Sequence, residues 1–153
     1  MGRRRRAREY ALQILFQMEF ESGGADEVLR MFWERDDPPP QAVREYAEWL
    51  VRTVLEKRSD VDGFLQEASD NWRLSRMAVV DRNILRIAAC ELLNVPDLAP
   101  AIIINEAIEI ARKYSGDQAA VFVNGILDAV RKKLEAPDAH ASIKEDSDDT
   151  EKG

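Results

Sequence analysis

The chain has 153 residues, of which 45% are hydrophobic and 33% charged, so it is long enough for one compact domain or two small subdomains. No apolar run approaches the roughly 18 residues that span a bilayer, and the glutamines and the glutamate after the basic start are unlike a signal-peptide core. The single cysteine, Cys90, excludes an internal disulfide and any multi-cysteine zinc site. We therefore expect a soluble, cytoplasmic protein that does not enter a membrane and needs no cofactor.

The distribution of charge is more informative than the net charge of −7. Residues 1–8 contain five arginines and no acidic residue, whereas residues 135–153 contain seven acidic residues and two lysines. A concentrated cationic segment therefore precedes an acidic body. Such a segment is the electrostatic footprint expected of a protein that binds nucleic acid.

Apolar residues recur at helical spacing along almost the whole chain, and no stretch keeps the two-residue alternation of a half-buried strand. This pattern predicts an all-α fold of about seven helices, which glycine and proline clusters interrupt. The fourth helix is expected to begin after Ser59 or Asp60, because either side chain can cap free amides. The predicted helices cover about residues 4–21, 25–35, 41–57, 60–71, 77–93, 100–114 and 117–134.

A connector at 72–76 divides the predicted helices into two groups. We expect one folded region over 1–135, made of two packed helical bundles at about 1–71 and 72–135, with Trp72 sealing the joint. Residues 136–153 are polar, acidic and almost free of large apolar side chains, so this tail is predicted to be disordered.

The first predicted helix has two opposite apolar faces. The second face carries Leu12, Phe16 and Phe20, and two explanations for it remain open. It packs against the other bundle, or it is an exposed partner site with Phe16 as its anchor. The first face, which we assign to the core, consists of Ala7, Ala11, Ile14, Leu15 and Met18.

The sequence offers few groups for catalysis. Its only histidine, His140, lies in the acidic tail, and Cys90 has no histidine in the predicted helices to activate it. No glycine-rich phosphate loop is present. Glu91 falls within the apolar arc of the fifth helix, where a buried ion pair is the commoner explanation and a perturbed catalytic carboxylate the rarer one. We expect a protein that is not an enzyme.

An arginine run at the start of the first helix is the most informative local feature. Guanidinium groups bind phosphates in a bidentate manner and stack on exposed bases. The alternative is a disordered basic tail or a solvated helix end without a specific partner. Because the run merges into an amphipathic helix, we favour a folded RNA-binding surface. Its members are Arg3, Arg4, Arg5, Arg6 and Arg8.

A second candidate RNA surface lies at the junction of the sixth and seventh helices. Tyr114, Gln118 and Phe122 could share a face near a helix start, where free amides favour phosphate and aromatic rings stack on bases. For Phe122, a place in the core is the commoner explanation.

Four short blocks in this chain, in the same order, resemble the signature blocks of the NusB family. They read RRRARE with ALQ at 4–13, DRNILRIA with EL at 81–92, INEAIEIA at 104–111 and FVNGILD at 122–128. The resemblance implies two helical subdomains and a role in processive transcription, notably of ribosomal RNA operons. It also implies a partner, the ribosomal protein NusE in the transcription elongation complex, and binding of the pair to boxA single-stranded RNA.

The resemblance also assigns roles to residues of this chain. The arginines at positions 4–8 match the family's RNA-binding motif, and Phe16 and Asp81 match positions that face NusE. Tyr114, Gln118 and Phe122 fall in the region that the family places near RNA.

Three alternatives remain at this point. Some ribosomal RNA cytosine methyltransferases carry a NusB-like domain ahead of a catalytic domain, but the residues after Leu134 are too few for one. A helical protein-binding scaffold in ribosomal RNA biogenesis would lack RNA affinity even with NusE. The Phe16 face could also be buried in a homodimer.

Overall fold

The computed structural model describes residues 2–136, which form seven α-helices and one short 3-10 helix, with no strand in that range. The predicted all-α fold is therefore confirmed. None of the described helices is long and apolar enough to cross a lipid bilayer. Positions 137–153, which hold His140 and most of the tail predicted to be disordered, lie outside the described residues. The helices are α1 (Arg3–Phe20), α2 (Ala25–Trp33), α3 (Gln41–Glu56), α4 (Arg58–Ala68), α5 (Val79–Asn94), α6 (Pro100–Ser115) and α7 (Asp117–Glu135), with the 3-10 helix at Leu74–Arg76.

The fourth helix differs from its prediction at both ends. It begins at Arg58, so Ser59 and Asp60 lie inside its first turn, and no side chain caps its start. It ends at Ala68, earlier than predicted, because hydrogen bonds to the Gln66 side chain hold the following segment out of the helix. The Gln66 carboxamide donates to the carbonyl of Trp72 at 2.8 Å and accepts from the amide of Leu74 at 2.9 Å, which braces the connector.

Gly116 joins α6 to α7 without a loop. Its φ of 100° lies in the region that favours glycine, and its amide donates to the carbonyls of Ala111 and Arg112, each at 3.1 Å. The next helix then begins at Asp117. This single residue therefore sets the angle between the end of α6 and the start of α7.

One core runs through both halves of the fold. The central helix α5 packs against α1, α3, α4, α6 and α7, and α6 pairs with α7. Leu50 and Leu65 from the first half are buried in the same cluster as Leu85 and Leu127 from the second. The division into two subdomains at residue 72 stays a prediction.

The two apolar faces of α1 differ in how far they are buried. The predicted core face is buried, with Met18 partly so, and Leu12 of the opposite face is buried as well. Phe16 and Phe20 are 41% and 69% exposed, with ring centroids 5.1 Å apart. The second face therefore packs inside the protein at its start and leaves an exposed aromatic pair at its end.

Candidate nucleic-acid interface

The start of α1 presents three exposed arginines. Arg3, Arg4 and Arg6 are exposed, and they lie at a folded helix end instead of in a flexible tail. Positive charge at this end opposes the helix dipole, so these residues do not stabilise the helix. Arg5 is half-buried and forms an ion pair with Glu106 on α6. We call Arg3, Arg4 and Arg6 the exposed arm.

Arg8 is not part of this exposed surface because its side chain is buried, and its contact with RNA stays a prediction. Its side chain is 3% exposed and forms two hydrogen bonds with Glu91 on α5, at 2.7 Å from Nε and 3.0 Å from Nη2. A third guanidinium nitrogen lies 3.6 Å from Glu106. Arg8 therefore ties α1 to the second half of the fold.

Glu91 is the centre of a buried polar network, as expected for an ion pair. The residue is 0% exposed, and its carboxylate accepts hydrogen bonds from the hydroxyl of Tyr46 on α3 and from Arg8. Burial, followed by the bond to Glu91 and its charge, raises the pKa of the Tyr46 phenol. Burial alone would lower the pKa of Arg8, but the hydrogen bonds and charge of Glu91 outweigh it and raise that pKa. The network holds α1, α3 and α5 together.

Tyr46 also connects this network to the exposed arm. The guanidinium of Arg4 lies 5.1 Å from the Tyr46 ring centroid, within the range of a cation–π contact. Sequence reasoning missed Tyr46, because nothing near it in the chain marks it as a partner of residues 42 positions earlier.

Tyr114 lies at the end of α6 against α1. Its hydroxyl donates to Glu9 at 3.0 Å and accepts from the carboxamide of Gln13 at 3.0 Å, while the Lys113 ammonium lies 2.6 Å from Glu9. Burial and the contact with Glu9 raise the pKa of Tyr114. Phe16 lies one turn beyond Gln13 on α1, so the tyrosine lies on the side of the molecule that carries the exposed aromatic pair.

Phe122 and Gln118 lie on α7, on the other side of Gly116 in the chain from Tyr114. Gln118 is exposed in the first turn. Phe122 is half-buried, and its ring packs edge-on against Trp72 at 5.3 Å. Trp72 itself is 58% exposed and covers Phe122, and its predicted sealing of the joint between two bundles stays a prediction.

Phe122 and Asp81 both line a cavity of about 620 Å³. Two arginines, Arg73 and Arg76, also line it, so the cavity combines aromatic rings with positive charge. Sequence reasoning missed these two residues, although the short segment WRLSR contains both beside a tryptophan. The full lining is Asn71, Trp72, Arg73, Arg76, Met77, Ala78, Asp81 and Phe122.

Asp81 begins a run of three residues with unsatisfied buried polar atoms. The atoms are Oδ1 of Asp81, Nε of Arg82 and Nδ2 of Asn83, and no other buried side-chain polar atom in residues 2–136 lacks a partner. Buried polar groups are nearly always hydrogen-bonded. Of the three residues, only Asp81 lines the cavity, so its carboxylate is the one that a molecule bound there could contact.

The described residues contain little reactive chemistry. Cys90 is buried, and burial followed by the charge of Glu91 raises its pKa to about 11, so the thiol is protonated near neutral pH. Within residues 2–136, no group of three or more His, Cys, Asp or Glu side chains is arranged to hold a metal ion.

Comparison with known proteins links this arrangement to one family. A model of the NusB family matches residues 5–132. The transcription antitermination protein NusB of Anaeromyxobacter dehalogenans strain 2CP-1 is 47% identical over 133 residues, which cover 87% of this chain and 93% of that protein. The structure of T. maritima NusB has a TM-score of 0.77 at 36% identity and covers 86% of this chain and 92% of its own.

A structure that contains RNA is similar as well. A chain in the crystal structure of antitermination factors NusB and NusE in complex with double-stranded RNA has a TM-score of 0.77 at 26% identity. The match covers 86% of this chain and 98% of that one.

Proposed function

The chain belongs to the NusB family, and we propose that it is a cytoplasmic transcription antitermination factor, not an enzyme, that binds boxA RNA together with NusE. In this proposal the complex joins the transcription elongation complex and promotes processive transcription of ribosomal RNA operons. The similar structure of NusB and NusE with double-stranded RNA supports both partners.

The observation that carries the RNA-binding proposal is the exposed arm. Arg3, Arg4 and Arg6 are exposed on a folded helix end, where their guanidinium groups can reach neighbouring phosphates. Three contacts with single-stranded RNA predict a slope of about −2 in a plot of log affinity against log salt, and five would give about −3.5. The burial of Arg8 favours the smaller value.

Two further surfaces complete the proposal. The exposed Phe16 and Phe20 rings form an apolar patch that would bind NusE, with Asp81 supplying a polar contact from the first turn of α5. Phe122 and Gln118, together with Tyr114, would extend the RNA surface beyond the arm.

The exposed aromatic pair also supports a second candidate function. A helical scaffold that binds only proteins, or a homodimer, would use the same Phe16 surface. The protein-binding scaffold would not bind RNA, with or without NusE.

The decisive experiment is an RNA titration with boxA and scrambled RNA, with and without NusE. We expect wild type to prefer boxA and to bind more tightly with NusE, and the Arg3→Ala, Arg4→Ala, Arg6→Ala triple variant to bind both RNAs weakly. The matched control replaces three other exposed arginines, which line the cleft between α2 and α3 and lie 48–59% exposed. These are Arg30, Arg44 and Arg52.

Equal losses in the two triple variants would show that total charge, and not the arm, drives binding. Absence of RNA binding by wild type with NusE present would leave the protein-binding scaffold as the function.

A further inference from the structure

Two aromatic side chains on α3 form a stack beside the exposed arm. Tyr46 and Trp49 lie one turn apart, with ring centroids 5.6 Å apart and an angle of 25° between the planes. The Arg4 guanidinium lies 5.1 Å from the Tyr46 centroid. Trp49 is 38% exposed, so part of its side chain is accessible to a ligand. We call these three residues the Arg4–Tyr46–Trp49 stack.

The stack is held in place from inside the protein. Tyr46 donates its hydroxyl to the fully buried Glu91, which Arg8 holds through two further hydrogen bonds. The tyrosine ring therefore has a fixed position, and the tryptophan packs on it in a near-parallel orientation. A ligand that uses this surface loses little free energy in ordering it, because the stack is already formed.

The chemistry of the stack fits an unpaired nucleobase. Flat rings and a guanidinium plane are the groups on which bases of single-stranded RNA stack. The neighbouring charges favour the same ligand, because Arg3 and Arg6 on the adjacent helix end are exposed and positive and attract a polyanion. A purely apolar protein segment would gain nothing from these charges.

We propose that the Arg4–Tyr46–Trp49 stack binds an unpaired base of the RNA whose phosphates contact the exposed arm. The inference rests on the proposed function, because it requires that the arm binds RNA. The base stacks on the exposed face of Trp49, and Arg4 contacts both the stack and the adjacent phosphate. Since every base has a flat face, the stack contributes affinity without selecting boxA.

The test compares RNA affinities of wild type, Trp49→Ala and Trp49→Phe. Stacking on one aromatic ring corresponds to a loss of about 5- to 150-fold on alanine substitution. We expect Trp49→Ala to fall in this range, Trp49→Phe to retain most of the affinity, and the ratio between boxA and scrambled RNA to stay unchanged. Met31→Ala is the matched control, because Met31 is a large exposed apolar side chain on α2.

A series of RNAs with one abasic nucleotide separates stacking from an indirect effect. For wild type, one abasic position should lower affinity as much as Trp49→Ala does, and the variant should lose nothing more at that position. Additive losses at every position would overturn the proposal. So would full RNA affinity in Trp49→Ala when the triple arm variant has lost it, and in that case the proposed function would stand.

A measurement on wild type covers the case in which Trp49→Ala fails to fold. With 5-fluorotryptophan incorporated, the ¹⁹F signal of Trp49, assigned as the one missing in Trp49→Phe, should shift on addition of single-stranded RNA. An unmoved signal at saturating RNA would reject the stack. If wild type with NusE binds no RNA at all, the stack and the proposed function both fall.

Discussion

Replacing Glu91 with leucine would leave a buried positive charge without its main partner. Arg8 is 3% exposed and its remaining carboxylate, that of Glu106, lies 3.6 Å away. The hydroxyl of Tyr46 would lose its acceptor as well. Breaking a buried ion pair from one side costs about 3–5 kcal/mol, and we expect Glu91→Leu to lose that much. This is a large part of the 5–15 kcal/mol by which proteins of this kind are usually stable.

Urea denaturation followed by circular dichroism measures the effect. With a slope of about 2 kcal/mol per molar urea, the midpoint should fall by about 1.5–2.5 M at an unchanged slope. The double variant Arg8→Leu, Glu91→Leu removes both charges and should recover most of the loss, because apolar residues often replace buried pairs at little cost. A loss below about 1 kcal/mol in Glu91→Leu, or a double variant that equals the sum of the two single ones, would refute the network.

Four smaller predictions concern other residues. Cys90 should react with Ellman's reagent far more slowly in the native protein than in urea at pH 8. The folded pKa of Cys90, about 11, exceeds the ordinary value of 9.0, so the unfolded chain loses this proton first as pH rises. Stability should therefore fall between these two pH values, and a Cys90→Ala variant should show a smaller fall. Gly116→Ala should lower stability by about 1–3 kcal/mol in a thermal melt, since φ is 100° there, and an unchanged melt would contradict the strain. Phe16→Glu should weaken NusE binding by calorimetry while RNA binding without NusE is unaffected; equal NusE affinity would move the partner site elsewhere. Glu106→Gln should strengthen RNA binding by up to about 5-fold, because it removes an acid that competes with phosphate for Arg5. Weaker binding by this variant would show that Glu106 does not compete with RNA for Arg5.

The helices were largely predictable because each carries its own apolar periodicity. The boundaries of α4 were not. Ser59 and Asp60 have the chemistry of capping residues, yet Lys57 alone links α3 to α4. The Lys57 amide donates to the carbonyl of Thr53, and no side chain caps the start of α4. The early end of α4 depends on the Gln66 side chain, whose partners Trp72 and Leu74 lie six and eight residues away.

The site was predictable only where a residue's role depends on its own helix. All five arginines at the start of α1 appear equivalent as a run, but Arg8 lies four and seven residues before the buried Leu12 and Leu15, so helical phase alone places it on an inner face. The same phase argument marked Glu91 as a polar residue within an apolar arc. That these two residues form a pair could not be predicted, because 83 positions separate them.

The acidic body and the exposed arm are compatible because two of the acids pair with arginines beside the arm. Glu91 and Glu106 neutralise Arg8 and Arg5, and through Tyr46 the first of these carboxylates also supports Arg4. Acids that lie more than about 8 Å from the arm are largely screened at physiological salt. A phosphate at the helix end therefore interacts mainly with Arg3, Arg4 and Arg6 and little with the net charge of −7. In the proposed function, RNA is attracted by the local charge at this helix end, which depends on which arginines are buried in ion pairs and which are exposed.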